Sequence, residues 1–212
     1  MQDKPPNPDL TVYTIGHSNH PLESFLGLLR QHGIRALIDV RSSPYCRYAV
    51  HFNREDIQQP LWAEAVRYLF LGDALGGRPD GGEFYDGQGY VLYERVARSE
   101  RFQSALATLL RGAAACPLTI MCGEEDPTEC HRRLLIGRVL REQGVRVLHI
   151  RGDGRVQTEQ ETAAEEEFRR TKGQLSLFDT REPQPWKSTR SVLPEKAQPN
   201  SSGSSGAAGS GD

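Results

Sequence analysis

The chain has 212 residues, 37% of them hydrophobic and 25% charged, which suits one globular domain of ordinary size with some length to spare. A formal net charge of -2 excludes a molecule-wide basic field that would hold nucleic acid by itself, so such a role needs a local patch or a tethering partner. No apolar run approaches the roughly 20 residues that span a bilayer, so no membrane role is expected.

The first stretch, 1–9, is polar and Pro-rich, without the apolar core of a signal peptide. Residues 10–15 alternate and are β-branched, which predicts a strand ending at Gly16, His17 and Ser18. Pro21 suits a first helical position, and Leu22, Phe25, Leu26 and Leu29 recur on one helix face that Gly33 terminates. Residues 34–40 are an almost continuous apolar run, as expected of a strand covered on both faces. Strand, helix and strand together predict a right-handed parallel βαβ unit.

The second strand ends in Asp39, Val40 and Arg41, then an irregular basic and aromatic loop, 42–47. Asn53 is placed as the cap of a short helix over 54–59, which Pro60 breaks or follows with another through Ala65, and 66–71 as a third strand. Glycines 72, 76, 77, 81, 82, 87 and 89 mark a long loop, read as covering the site. Residues 90–98 and 100–115 read as helices, the second capped by Ser99, and 118–121 as a fourth strand. Asp126, Pro127 and Glu129 read as the cap, first residue and third residue of a helix that Gly144 ends, before a fifth strand at 145–150.

After Gly152 the character changes. Residues 158–170 predict a charged helix with almost no apolar face, and the remainder is too polar to order itself. The expected fold class is α/β: a single domain over 10–152 with a mostly parallel sheet of about five strands flanked by helices. A disordered N-terminus, 1–9, precedes it, and a charged helix with a disordered C-terminal interaction tail, 153–212, follows. With four cysteines (Cys46, Cys116, Cys122 and Cys130) and no leader segment, a cytoplasmic location with reduced thiols is expected.

In open parallel sheets, ligands bind beyond the carboxyl ends of the strands. The stretch 120–133 puts Cys122, Cys130, His131, four acidic residues and two arginines between a strand and a helix, a mixture that no core needs. At about 100° per residue, Leu135, Ile136, Val139 and Leu140 form an apolar arc that includes Arg132. A buried arginine must be paired, so Arg132 is expected to meet Asp39, Glu124 or a bound anion.

These strand ends make His17, Asp39, Cys122 and Glu124 the candidate catalytic residues. Ser18, Arg41, Arg47, His131 and Arg132 are the candidate anion-binding set, aided by a helix N-terminus at Asp126. Each has a plainer role to set beside this one: a turn histidine, a structural Asp39–Arg41 ion pair, acidic residues that complement a helix dipole. Cys122, Cys130 and His131 are also a candidate metal site, although their spacing lacks the usual C-x2-C pairing. Cys122, between a strand and a helix start, suits thiol chemistry as well, but Thr128 stands where a C-x5-R loop has its arginine.

The segments TIGHSN (14–19), LIDVRSSP (37–44), LGGRP (75–79), MCGEEDPTECHR (121–132) and VLHI (147–150) resemble the DUF488 family over 10–152. That resemblance implies an α/β domain and leaves the reaction open. The family commonly has P-x-S-R after the second strand. Here Pro44, Tyr45, Cys46 and Arg47 stand there, so position 46 has no hydroxyl. The Asp-Val-Arg strand end is also similar to that of rhodanese domains. In the tail, Gln174, Leu175, Ser176, Leu177 and Phe178 resemble the bacterial sliding-clamp binding pentapeptide, which implies a DNA sliding clamp as partner; the alternative is that they strap back onto the domain. The leading function is an enzyme acting on a nucleotide, nucleobase or nucleic acid and linked to DNA repair or replication. Against it stand a metal-binding or thiol-dependent protein and a non-enzymatic nucleic-acid adaptor. No cofactor is specified, a divalent metal being the candidate.

Overall fold

A computed structural model describes residues 10–171 and 186–191. The chain runs through β1 (Thr11–Gly16), α1 (Leu22–Gln31), β2 (Ala36–Asp39), α2 (Arg54–Ala63) and β3 (Arg67–Phe70). Gly33, at φ 63°, ends α1 as its lack of a Cβ allows. Pro60 lies inside α2 instead of breaking it, because Ile57 and Leu61 on either side are fully buried and hold the last turn. Then come α3 (Gly72–Leu75), α4 (Tyr93–Arg98), α5 (Glu100–Ala115) and β4 (Leu118–Cys122). Ser99 caps α5, its Oγ accepting the Phe102 N–H at 3.3 Å. A wide π-helical turn, Arg132–Gly137, leads into α6 (Arg138–Glu142), followed by β5 (Arg146–Ile150), β6 (Val156–Thr158) and α7 (Glu159–Thr171).

The sheet order is β3-β2-β4-β1-β5-β6, with every neighbouring pair parallel except β5 and β6. β4 lies in the middle and is buried along its whole length. Its Leu118, Ile120 and Cys122 join one core with Phe102, Leu106 and Leu140, while Met121 joins the other with Phe25, Leu29 and Leu61. Thus α1 and α2 cover one face and α4, α5 and α6 the other, which is why the inner strands are continuously apolar.

Two segments depart from the sequence expectation. The helix expected from Pro127 is interrupted: Pro127–Glu129 is one 3-10 turn, Cys130 is extended, and helix begins again after it. The sheet also continues past residue 152. Arg151 N–H bonds Arg155 O across a turn with Gly154 at φ 86°, and β6 pairs back on β5. The following α7 buries only Thr162 and is fastened by charge. Arg133 meets Glu159 and Glu166, each at 2.8 Å, and Arg169 meets Asp126 at 2.6 Å. Ionic docking of this kind leaves no apolar period to read.

Asp126 ties α7 to the loop after β4. Its Oδ1 accepts the Thr128 N–H at 2.9 Å and hydroxyl at 2.8 Å. Burial pushes the Asp126 carboxyl up, but Arg169 and Thr128 outweigh burial and hold it at about 2. The folded value lies below the ordinary 3.8, so this stabilisation is complete at neutral pH and is lost as pH falls through about 2. Asp126→Ala is expected to cost about 1 kcal/mol in urea unfolding at pH 7, the usual worth of a cap, with the difference from wild type shrinking as pH nears 2.

Candidate functional site

Strand register puts Gly16 beside Cys122 and Asp39 beside Met121, so three strand ends meet at one level. The loop after β4 lies directly on the end of β1. His17 N–H bonds Cys122 O and Ser18 N–H bonds Gly123 O, both at 2.9 Å. A Cβ on Gly16 would stand 1.9 Å from Glu124 O, so only glycine permits this approach.

Arg132 holds the same loop from beneath. It is fully buried, with Nε donating to Thr14 Oγ1 at 3.3 Å, Nη2 to Glu125 O at 2.6 Å and Nη1 to Glu124 O. Its partners are therefore main-chain carbonyls and a hydroxyl, and neither the Asp39 nor the Glu124 carboxylate. Its side chain does not line the cavity beside that loop and stands behind the wall of the site.

In front of that wall is a cavity of about 460 Å³. At its floor Cys122, Cys130 and His131 are all buried, with their sulfur and nitrogen atoms within 4.8 Å of one another. His131 Nδ1 is 3.7 Å from Cys122 Sγ and 3.8 Å from Cys130 Sγ. Its Nε2 lies 2.9 Å from Val40 O, which can only accept, so the proton belongs on Nε2 and the bare Nδ1 faces both sulfurs. The extended Cys130 makes this possible, since it lets two adjacent residues and the strand end share one point. The Gly-rich loop lies against the imidazole: a Cβ on Gly77 would be 2.9 Å from Nδ1.

The two thiols titrate as a pair. The hydrogen bond with Cys130 and burial push the Cys122 thiol up. Burial also pushes Cys130 up, but the hydrogen bond from Cys122 and the charge of Arg132 outweigh it and bring Cys130 below the usual thiol range. The pair therefore favours one thiolate, centred on Cys130.

Asp39 is enclosed and saturated. It accepts Arg41 N–H at 3.0 Å, Nε–H at 2.9 Å and Nη2–H at 2.6 Å, and the Tyr68 hydroxyl at 2.8 Å. It does not line the cavity, and its hydrogen bonds anchor Arg41. Arg41 also bonds Phe52 O at 2.7 Å and His17 Nε2 at 3.1 Å, which leaves one Nη1–H for the cavity it lines. His17 stacks on Phe52 at 4.5 Å and donates Nδ1–H to Ser18 O.

Glu124 lines the cavity with an exposed side chain. Ser18 and Arg47, from the expected anion set, do not line it: Ser18 sits in the turn at φ 44°, and Arg47 is exposed on a loop held by Cys46 N–H to Asn53 Oδ1. Nor does a helix N-terminus open onto the cavity at Asp126, where that residue's own carboxylate occupies the turn. Sequence reasoning missed Ser42, Arg78 and Tyr93 on the walls, and the segment Ser188–Ser191. The signal for the last was Trp186, a large ring in a mostly polar tail. Gln174–Phe178 lies outside the described residues.

The fold and cavity define a single α/β domain with a thiol–imidazole group beyond its central strand. The family described as domain of unknown function DUF488 matches residues 21–139, more than half of the chain, and the protein belongs to that family. No curated protein matches the chain. Among the described residues, no helix is long and apolar enough to cross a membrane.

Proposed function

We propose that Cys122, Cys130 and His131 bind a divalent metal of the zinc type, and that the protein is an enzyme acting with it on an anionic ligand. The observation that carries this reading is the bare Nδ1 of His131 turned toward two sulfurs while Nε2–H is held by Val40 O. Metal-ligating histidines are oriented in this way by a carbonyl on the other nitrogen. Zinc bond lengths of about 2.3 Å to sulfur and 2.0 Å to nitrogen in a tetrahedron separate the two atoms by about 3.5 Å, close to the distances here. Three protein ligands are the number at which catalytic zinc sites keep a position for water or substrate.

Bound there, the metal would supply Lewis acidity or a water of lowered pKa. The chain's own residues supply the rest. The remaining Arg41 Nη1–H and the Arg78 guanidinium, which has no carboxylate partner among the described residues, receive the anion. Glu124 is placed to accept a proton. A nucleotide or nucleic-acid end carries suitable charge, and the exposed Tyr45 ring at the cavity rim suits a base. The sliding clamp remains the proposed partner of Gln174–Phe178.

A thiol-dependent enzyme is the second reading, favoured by the lowered Cys130 thiol. Elemental analysis separates the two. Protein purified without chelator is expected to carry about one metal per chain, and Cys130→Ser and His131→Ala to lose most of it. Wild type free of metal, with Cys130 alkylated rapidly at pH 6, would sink the metal reading and leave thiol chemistry.

A further inference from the structure

Far down the chain from the thiols, Ser188, Thr189, Arg190 and Ser191 line the same cavity. The segment is seated by Trp186. Its Nε1–H donates to Leu134 O at 2.7 Å, inside the wide turn that follows His131. The Arg138 guanidinium lies 4.3 Å over the indole, and the Tyr93 ring meets it edge-on at 6.3 Å. The backbone adds a short ladder: Tyr93 N–H to Trp186 O at 3.0 Å and Ser188 N–H to Val91 O at 2.9 Å. Ser188 Oγ accepts the Val91 N–H at 2.9 Å. Outside, Lys187 meets Asp86 at 3.1 Å and lies 4.3 Å over Tyr90, while Arg190 pairs with Glu129.

We infer that Trp186–Ser191 is a closing strap that belongs to the site, screening Cys122, Cys130 and His131 when docked and adding Thr189 and Arg190 to the ligand-facing wall. Apart from Arg138 at the start of α6, its partners lie on segments that border the cavity: the turn after His131, the Gly-rich loop with its continuation to Tyr93, and Glu129. Its fastening is local. Exposed ion pairs such as Arg190–Glu129, with side chains 74% and 53% exposed, hold little. Most of the docking rests on one indole and a few backbone bonds, so the strap opens well short of global unfolding. With Arg190 paired to Glu129, the free positive charge on this cavity is that of Arg78 beside the remaining Arg41 Nη1–H, and it favours a ligand with negative charge. The inference uses the cavity proposed above but does not require that it hold metal.

The test uses full-length protein treated with EDTA, with peptide-resolved iodoacetamide alkylation giving a rate for each cysteine. Cys116, half-buried next to the amino end of β4 and away from the cavity, is the reference for thiol reactivity, and urea unfolding of each variant reports loosening of the whole fold. Trp186→Ala removes the anchor, and Ser188→Pro separately deletes the N–H that reaches Val91. Each is expected to raise the Cys122 and Cys130 rates, taken relative to Cys116, by about tenfold or more. A ratio within about twofold of wild type in either variant overturns the strap. Metal content of the untreated wild type, measured on the same preparation, decides the metal reading separately, since the alkylation ratio is read on stripped protein either way.

Discussion

Arg132→Ala should destabilise the fold by about 2–5 kcal/mol in urea unfolding, from buried carbonyls left without a donor and a large side chain removed from the interior. Arg132 is among the largest fully buried side chains, and its guanidinium is the donor to both Glu124 O and Glu125 O. Each carbonyl left without a donor costs about 1–3 kcal/mol, and the emptied volume adds to that. Two further variants separate the contributions. Arg132→Met restores most of the volume and none of the donors, so it should recover only the packing part. Arg132→Lys keeps the charge, but a single ammonium lacks the planar fork that reaches both carbonyls and Thr14 Oγ1 together. In the Met variant the Cys130 thiol should also rise, because Arg132 is one of the charges holding it down. A loss below about 1 kcal/mol for Arg132→Ala would mean that water meets both carbonyls, and the assignment of Arg132 as the support of the loop would fail.

The position of Arg132 was legible from sequence and its partners were not. Helix phase alone puts it on the buried arc with Leu135 and Ile136. Main-chain carbonyls carry no residue-type signal, so the sequence offers only the nearest carboxylates as partners. Cys130 is similar. The capping residues at Asp126 and Pro127 serve a single 3-10 turn as well as a helix, and what decides between them is the long-range arrangement that brings Cys130 and His131 to Cys122. Arg47 is near Arg41 in sequence but does not line the cavity. Arg41 bonding to Phe52 O and Asn53 bonding to Cys46 N–H close the intervening loop and leave Arg47 exposed. By contrast, the inner strands and α1 follow their apolar patterns closely, because burial against two cores is what those patterns encode.

His17 should give the wild-type protein a stability slope in acid that His17→Gln lacks. Burial lowers the imidazole pKa and outweighs the Ser18 carbonyl that raises it; Arg41 lowers it further, to about 4. In the unfolded chain the ordinary value is 6.5. Between these values the unfolded state binds the proton and the folded state does not, so stability falls as pH drops through that window and is unaffected by this group above it. The shift corresponds to about 3 kcal/mol between pH 7 and pH 4. Urea unfolding of both proteins across that range measures it, and parallel curves would mean that His17 takes up its proton in the fold as readily as in the unfolded chain. The same shift bears on the proposed chemistry. At neutral pH His17 is the uncharged tautomer, with Nδ1–H given to Ser18 O and the Nε2 lone pair taken by Arg41. It is therefore not a ready proton donor to a ligand. Its effect on the cavity is to fix Arg41, so a ligand that draws Arg41 forward must also free Nε2, and only then can His17 take part in proton transfer.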